Sequence, residues 1–204
     1  GKTTSEMKTV ATFTSTATTG LTTAWDFIST WTINASINDG YPFLSWQTAP
    51  TISSVSLASD NSTIAVTFSE AVYTTTDASS ALVVGDFAFS ISGGTATLSS
   101  ATPSSISISG NVYTLGISLS GTPDGGETLT VNPASATAIY DAGSNAAAAS
   151  QNNNTATLND KTVPTISSVS LASDNSTIAV TMSEAVYTTT DASSALVVGD
   201  FSLS

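Results

Sequence analysis

Apolar side chains along this chain recur with the two-residue period of half-buried strands. Residues 63–68, TIAVTF, place Ile64, Val66 and Phe68 on one face and Thr63, Ala65 and Thr67 on the other. Ile52, Val55 and Leu57 form a similar series, which ends at the turn-forming run Ala58-Ser59-Asp60-Asn61. Leu82–Phe87 leads through Phe89 and Ile91 to Gly93-Gly94, a hairpin signal. Further strands are expected at Ile106–Ile108, at Val112–Leu119 beyond a Gly110-Asn111 turn, at Leu129–Val131, at Ala138–Tyr140 and at Ala156–Leu158. Short strands with a turn signal about every ten residues, roughly seven to nine in all, predict an all-β, Ig-like antiparallel β-sandwich. The exception lies at the start. Residues 3–12, TTSEMKTVAT, predict a helical turn capped by Thr3 or Thr4, with Glu6 near the third position and Met7, Val10 and Ala11 on one face.

The strand pattern is also repeated. Residues 51–87 return at 165–201 at a constant offset (165 − 51 = 114) with one change, Phe68 to Met182. Self-similarity at a fixed period marks a tandem array, and this period suits a whole sandwich domain rather than a solenoid coil. The expected organisation is an aromatic-rich segment at 1–48, a complete sandwich at 49–162, and the first part of a second repeat at 163–204. Both ends read as cuts, with Ser204 falling inside a repeat, so a fragment or processed subunit of a longer protein is expected. Half a sandwich leaves an apolar face and a strand edge uncovered. Its missing strands come either from the same polypeptide running on or from another chain by strand addition.

Composition narrows the chemistry. Three Lys and no Arg face fifteen acidic residues, a net charge of −12. Nucleic acid is excluded for want of a basic footprint, as is charge-driven binding to anionic membranes. No apolar run approaches the roughly 20 residues of a membrane-spanning helix, so direct membrane insertion is not expected. The absence of Cys and His removes thiol and Ser-His-Asp catalysis and the usual zinc ligands, and no phosphate-binding glycine loop is present. The acidic residues sit about one per turn, which sets no carboxylate pair apart for glycoside hydrolysis. An enzyme is not expected.

Calcium is the cofactor this composition permits, because it takes oxygen ligands from carboxylates, amides and backbone carbonyls. Glu70, Asp141, Asp160 and Glu184 are the candidate metal ligands, drawn from a wider set that includes Asp60, Asp77 and Asp86 and their copies Asp174, Asp191 and Asp200. Glu70 is singled out because it follows an alternating strand and precedes Ala71-Val72. Asp160 lies in the junction LNDKTVP. The competing reading makes all of these turn residues held by local hydrogen bonds. Trp25, Trp31 and Trp46 are candidate ligand-binding residues for a surface glycan, within a patch that also holds Phe27, Tyr41 and Phe43. The same rings serve equally as a small aromatic core. Sequons at Asn34, Asn61, Asn153 and Asn175 are expected by chance in a chain this rich in Asn, Ser and Thr.

Two resemblances bear on function. Lys2–Lys8, Trp25–Phe27, Trp31, Ile33, Asn34 and Asn38–Leu44 resemble the segment that follows filamentous-haemagglutinin or GLUG-type β-helix repeats in large bacterial surface proteins. That likeness implies a β-helix-type terminus over residues 1–47. Residues 49–161 resemble bacterial Ig-like, SwmB-like repeats of long surface adhesins. Phe68-Ser69-Glu70-Ala71-Val72, Gly85-Asp86-Phe87, Glu127–Val131 and Tyr140-Asp141-Ala142-Gly143-Ser144-Asn145 carry it, the last with one residue inserted relative to the family's D-x-AGN. Together they imply a bacterial extracellular or cell-surface location and a structural role as stalk, spacer or assembling subunit of an adhesin or filament. Neighbouring repeats or copies of the chain itself are the expected partners. The alternative is a carbohydrate- or surface-ligand-binding adhesion module.

Overall fold

The computed structural model describes residues 2–16, 23–27, 30–33, 35, 38–44 and 48–202. The chain folds as two compact units, Gly1–Asp160 and Lys161–Ser204. The first opens with two short helices, α1 (Thr4–Met7) and α2 (Val10–Thr14), followed by a two-stranded antiparallel pair, β1 (Trp31–Thr32) with β2 (Phe43–Leu44). Thr3 caps α1 in a full capping box with Glu6: the Glu6 N–H donates to Thr3 Oγ1 at 3.2 Å, and the Thr3 N–H donates to Glu6 Oε2 at 2.7 Å. Beyond the expected capped turn a second short helix forms, and its buried residue is Phe13. Val10, expected on the apolar face, is exposed.

The rest of this unit is an all-β sandwich. One sheet has the order β3 (Ile52–Leu57), β4 (Thr63–Phe68), β8 (Val112–Gly116), β7 (Ile106–Ser109). The other has the order β11 (Thr155–Thr157), β10 (Thr128–Pro133), β5 (Phe87–Ser92). All pairings are antiparallel. The short strands β6 (Thr97–Leu98) and β9 (Leu119–Ser120) pair separately. Alternation does the sorting: Ile64, Val66 and Phe68 point inward with Tyr113 and Leu115, and meet Phe87, Phe89, Leu129 and Val131 of the opposite sheet in one continuous core. Tyr113 packs edge-on to Phe68, with ring centroids 5.6 Å apart.

Three local expectations are corrected. Gly93-Gly94 does not close a hairpin, because β5 pairs with β10 and the chain passes on to β6, which pairs with β9. The run Val112–Leu119 is broken into β8 and β9. Ala138–Tyr140 forms only isolated bridges, Tyr140 pairing with Tyr73 and with Ala146. Alternation follows the buried side chains in the first two cases, Phe87 with Phe89 and Tyr113 with Leu115, whereas in the third Ile139 is buried between the partly buried Ala138 and Tyr140. Alternation is silent about which strand supplies the partner.

The second unit holds β12 (Ile166–Leu171) and β13 (Ile178–Met182), an antiparallel pair. Its register repeats that of β3 and β4, including the irregularity after the first pair, Ile166↔Met182 standing for Ile52↔Phe68. Local hydrogen bonds repeat as well. Ser53 Oγ donates to the Thr67 carbonyl at 2.9 Å, and Ser167 Oγ donates to the Thr181 carbonyl at 2.9 Å. Burial does not repeat: Ile52 is 2% exposed and Ile166 57%, while Phe87 is 1% exposed and Phe201 45%.

Candidate functional site

The expected ligand residues distribute along the first sandwich according to strand direction. β3 runs to the Ala58–Ser62 turn and β4 returns, which puts Glu70 at the end where the chain enters. Asp141 lies at the same end, because Tyr73 and Tyr140 exchange backbone hydrogen bonds of 2.7 and 2.8 Å there. Asp141 is completely buried. Its Oδ1 accepts from the Asn145 N–H at 2.8 Å and its Oδ2 from Asn145 Nδ2 at 2.8 Å, which folds the Asp141–Asn145 loop around the carboxylate. Glu70 is half-buried. Burial first, and the negative charge of Asp141 second, push the Glu70 carboxyl up to about 7. Two of the four candidate ligands are therefore close enough to repel one another.

A divalent cation would reverse that repulsion, so the donor set fits calcium in chemical kind. It is short in number. Two carboxylates leave backbone carbonyls and water to complete the usual 6–8 oxygens, and among the described residues no group of three or more acidic, His or Cys side chains is gathered.

The other candidates lie elsewhere. Asp160 sits at the opposite end of the sandwich, where a Cβ added to Gly125 would come within 3.3 Å of its own. Glu184 is in the second unit, where Thr162 Oγ1 donates to its Oε1 at 3.3 Å. Asp60, Asp77, Asp174 and Asp191 each accept from the N–H and hydroxyl of the serine two residues on, and Asp86 and Asp200 each accept from the backbone N–H three residues before. For these six the turn reading holds.

Of the tryptophans, Trp25 and Trp31 are half-buried and their rings lie 4.3 Å apart, centroid to centroid. Trp25 also packs on Phe13 at 4.8 Å. Trp46 and the sequon at Asn34 lie outside the described residues. The described rings of this segment pack on one another, and Lys8 Nζ lies 4.9 Å from the centre of the Tyr41 ring.

Two polar centres have no counterpart among the expected site residues. Glu127 is fully buried. Its carboxylate accepts from the N–H groups of Thr95, Ala96, Asp124 and Gly125 at 2.8–3.2 Å. Burial pushes its pKa upward, and the backbone donors, Ala96 and Asp124 foremost, outweigh that and hold it below the ordinary carboxylate value. Asn61 and Asn159 form the second, reciprocal centre, at the end where the chain leaves. A sequence signal existed for Glu127. It stands behind Gly125-Gly126, and across from it is Gly94, where a Cβ would collide with the glutamate side chain. Nothing in the sequence pairs Asn61 with a residue 98 positions away.

No family model matches the chain, and no curated protein or solved structure matches it. The site is defined by its own geometry: two neighbouring carboxylates at one end and hydrogen-bonded clamps that hold the loops.

Proposed function

We propose that this chain is a structural module of a large bacterial extracellular surface protein or filament. Its Ig-like sandwich repeats act as stalk, spacer or assembling subunit, with neighbouring repeats or further copies as partners. The observation that carries the reading is the near-identity of 51–87 and 165–201. A spacer multiplies one stable unit, whereas recognition sites diverge between copies. The internal construction supports it, since buried carboxylates and asparagines secure loops at both ends of the first sandwich rather than opening toward a ligand. The glycan-binding alternative rests on Trp25, Trp31 and Trp46, and the mutual packing of the first two favours a structural role for them.

Stretching single chains held by their ends tests this reading. A load-bearing module resists and then releases in one event of about 40 nm, the extended length of a sandwich of this size. A chain that opens at negligible force, yet captures glycans through Trp25 and Trp31, would overturn it.

Calcium enters the proposal at Glu70 and Asp141, as a cation that neutralises the pair and stiffens that end. Millimolar calcium is expected to raise the melting temperature, with reversal by chelator and loss of the effect in Glu70→Gln. A melting temperature indifferent to calcium in the unaltered chain removes the cation and leaves the stalk reading standing.

A further inference from the structure

The second unit presents, with Met182 in place of Phe68, the side chains that form about half of the first unit's core, and they line an open groove of about 470 Å³ that includes Ile166, Met182, Val186, Leu196 and Phe201. Their counterparts Ile52, Phe68, Val72, Leu82 and Phe87 are all buried. Residues 88–160 cover them. In the first unit β8 adds to the free edge of β4, from Thr67↔Val112 to Thr63↔Gly116. Tyr113 enters between Phe68 and Phe87 and donates its hydroxyl to the Val72 carbonyl at 3.2 Å. Among the described residues β13 pairs with β12 alone, so the corresponding edge is free.

From this internal template we infer that the groove and edge of residues 165–201 form a socket for an unseated polypeptide of the 88–160 pattern. It docks in the first-unit register, its β8-type strand on β13 and its tyrosine between Met182 and Phe201. The inference deepens the modular reading above and rests on it.

A second folded copy is not the occupant. Its own 88–160 segment already fills a socket of the same sequence but for Phe68 in place of Met182. Moving it would empty one socket to fill another, with association entropy lost and nothing gained. Exchange between copies of residues 1–204 only trades one seat for another, because the 88–160 segment they hold is already seated in the first unit. Only a segment that is not already seated gains by docking.

The forces predict a signature. The socket holds Asp174, Glu184, Asp191 and Asp200, and the 88–160 segment holds Asp124, Glu127, Asp141 and Asp160 with no Lys or Arg in either. Docking driven by apolar burial between like-charged partners strengthens with added salt, opposite to a charge-driven contact.

The test adds a separately made 88–160 polypeptide to the full 204-residue chain and follows amide exchange. One-to-one binding that slows exchange at Ile178–Met182 by about 100-fold or more, and strengthens with salt, is expected. Val180→Lys in the chain is expected to abolish it, since Val180 stands where Val66 is buried. A version with 88–160 fused behind residue 204 guards against a segment too insoluble to dock. No protection of β13 in either format overturns the inference. So does equal protection produced by the unaltered chain alone as its concentration rises, because a second copy would then be the occupant. Failure here leaves the force-extension result of the first sandwich untouched, so the two readings fall separately.

Discussion

Asn61 and Asn159 hold one another across the sandwich: Asn61 Nδ2 donates to the Asn159 carbonyl at 2.7 Å, and the Asn159 N–H donates back to Asn61 Oδ1 at 2.9 Å. Asn159 Nδ2 also reaches the Ala58 carbonyl at 3.2 Å. The β3–β4 turn is thus tied to the point where the chain leaves the domain. Asn61 adopts φ 62°, a left-handed conformation that Asn tolerates better than most residues. Removing its side chain takes the partner from the Asn159 N–H and carbonyl, which are only partly buried. Asn61→Ala is expected to cost about 2–3 kcal/mol in urea unfolding. Asn175→Ala, the same change in the second copy, is expected to leave the main transition unmoved.

Glu70 makes the first sandwich sensitive to pH in an uncommon direction. Its folded pKa of about 7 lies above its ordinary value of 4.5. The contribution is therefore complete below pH 4.5 and is lost as pH rises through about 7. With allowance for partial exposure, the loss is about 1–3 kcal/mol. Melting measured from pH 5 to pH 8 should decline, and Glu70→Gln should flatten the decline. A Glu70→Gln profile as steep as that of the unaltered chain would remove Glu70 as its source.

Glu127 works in the opposite sense. Its folded pKa is held below the unfolded value, so its contribution is present above about pH 4.5 and is lost as pH falls through the folded pKa. Glu127→Gln keeps the shape but turns an amide NH2 toward a ring of backbone N–H donors. About 2–4 kcal/mol of destabilisation at pH 7 is expected by chemical denaturation. Gly94→Ala should approach the same loss, because φ is +57° there and the new methyl meets the Glu127 side chain.

Phe68 and Met182 occupy equivalent places in different surroundings. Phe68 is 2% exposed and touches both Phe87 and Tyr113. Phe68→Ala is expected to cost about 3–5 kcal/mol. Met182→Ala, on an open groove, should change the stability of the chain by less than about 1 kcal/mol. Differential scanning calorimetry of the two variants side by side checks the contrast.

Much of the candidate site was legible because carboxylates at strand ends are visible in the sequence. Glu70 stood out as a charge following a buried strand, and Asp141 as the head of DAGSN. Their proximity was not visible, since it depends on Tyr73 meeting Tyr140 across the fold. Glu127 enters the sequence reading only as the first residue of the Glu127–Val131 run that carries the Ig-like resemblance. Its four backbone donors come from two loops that the chain brings together after folding. Asp77 and Asp191 show the reverse case, their hydrogen bonds lying within a few residues and following directly from the local sequence.

The repeated segment separates the two kinds of information. By itself the sequence determined the strands of 51–87 and 165–201, their hairpin register, the left-handed Asn61 and Asn175, and the serine, aspartate and threonine bonds of the turns. These involve residues no more than 18 positions apart, so every copy carries them. Tertiary structure decided what the strands are for. Tyr73 bridges to Tyr140, whereas the identical Tyr187 bridges to Ala195. Ile64 has no exposure, whereas the identical Ile178 is 45% exposed. Burial and long-range pairing need residues 88–160 opposite, and no local propensity can supply them.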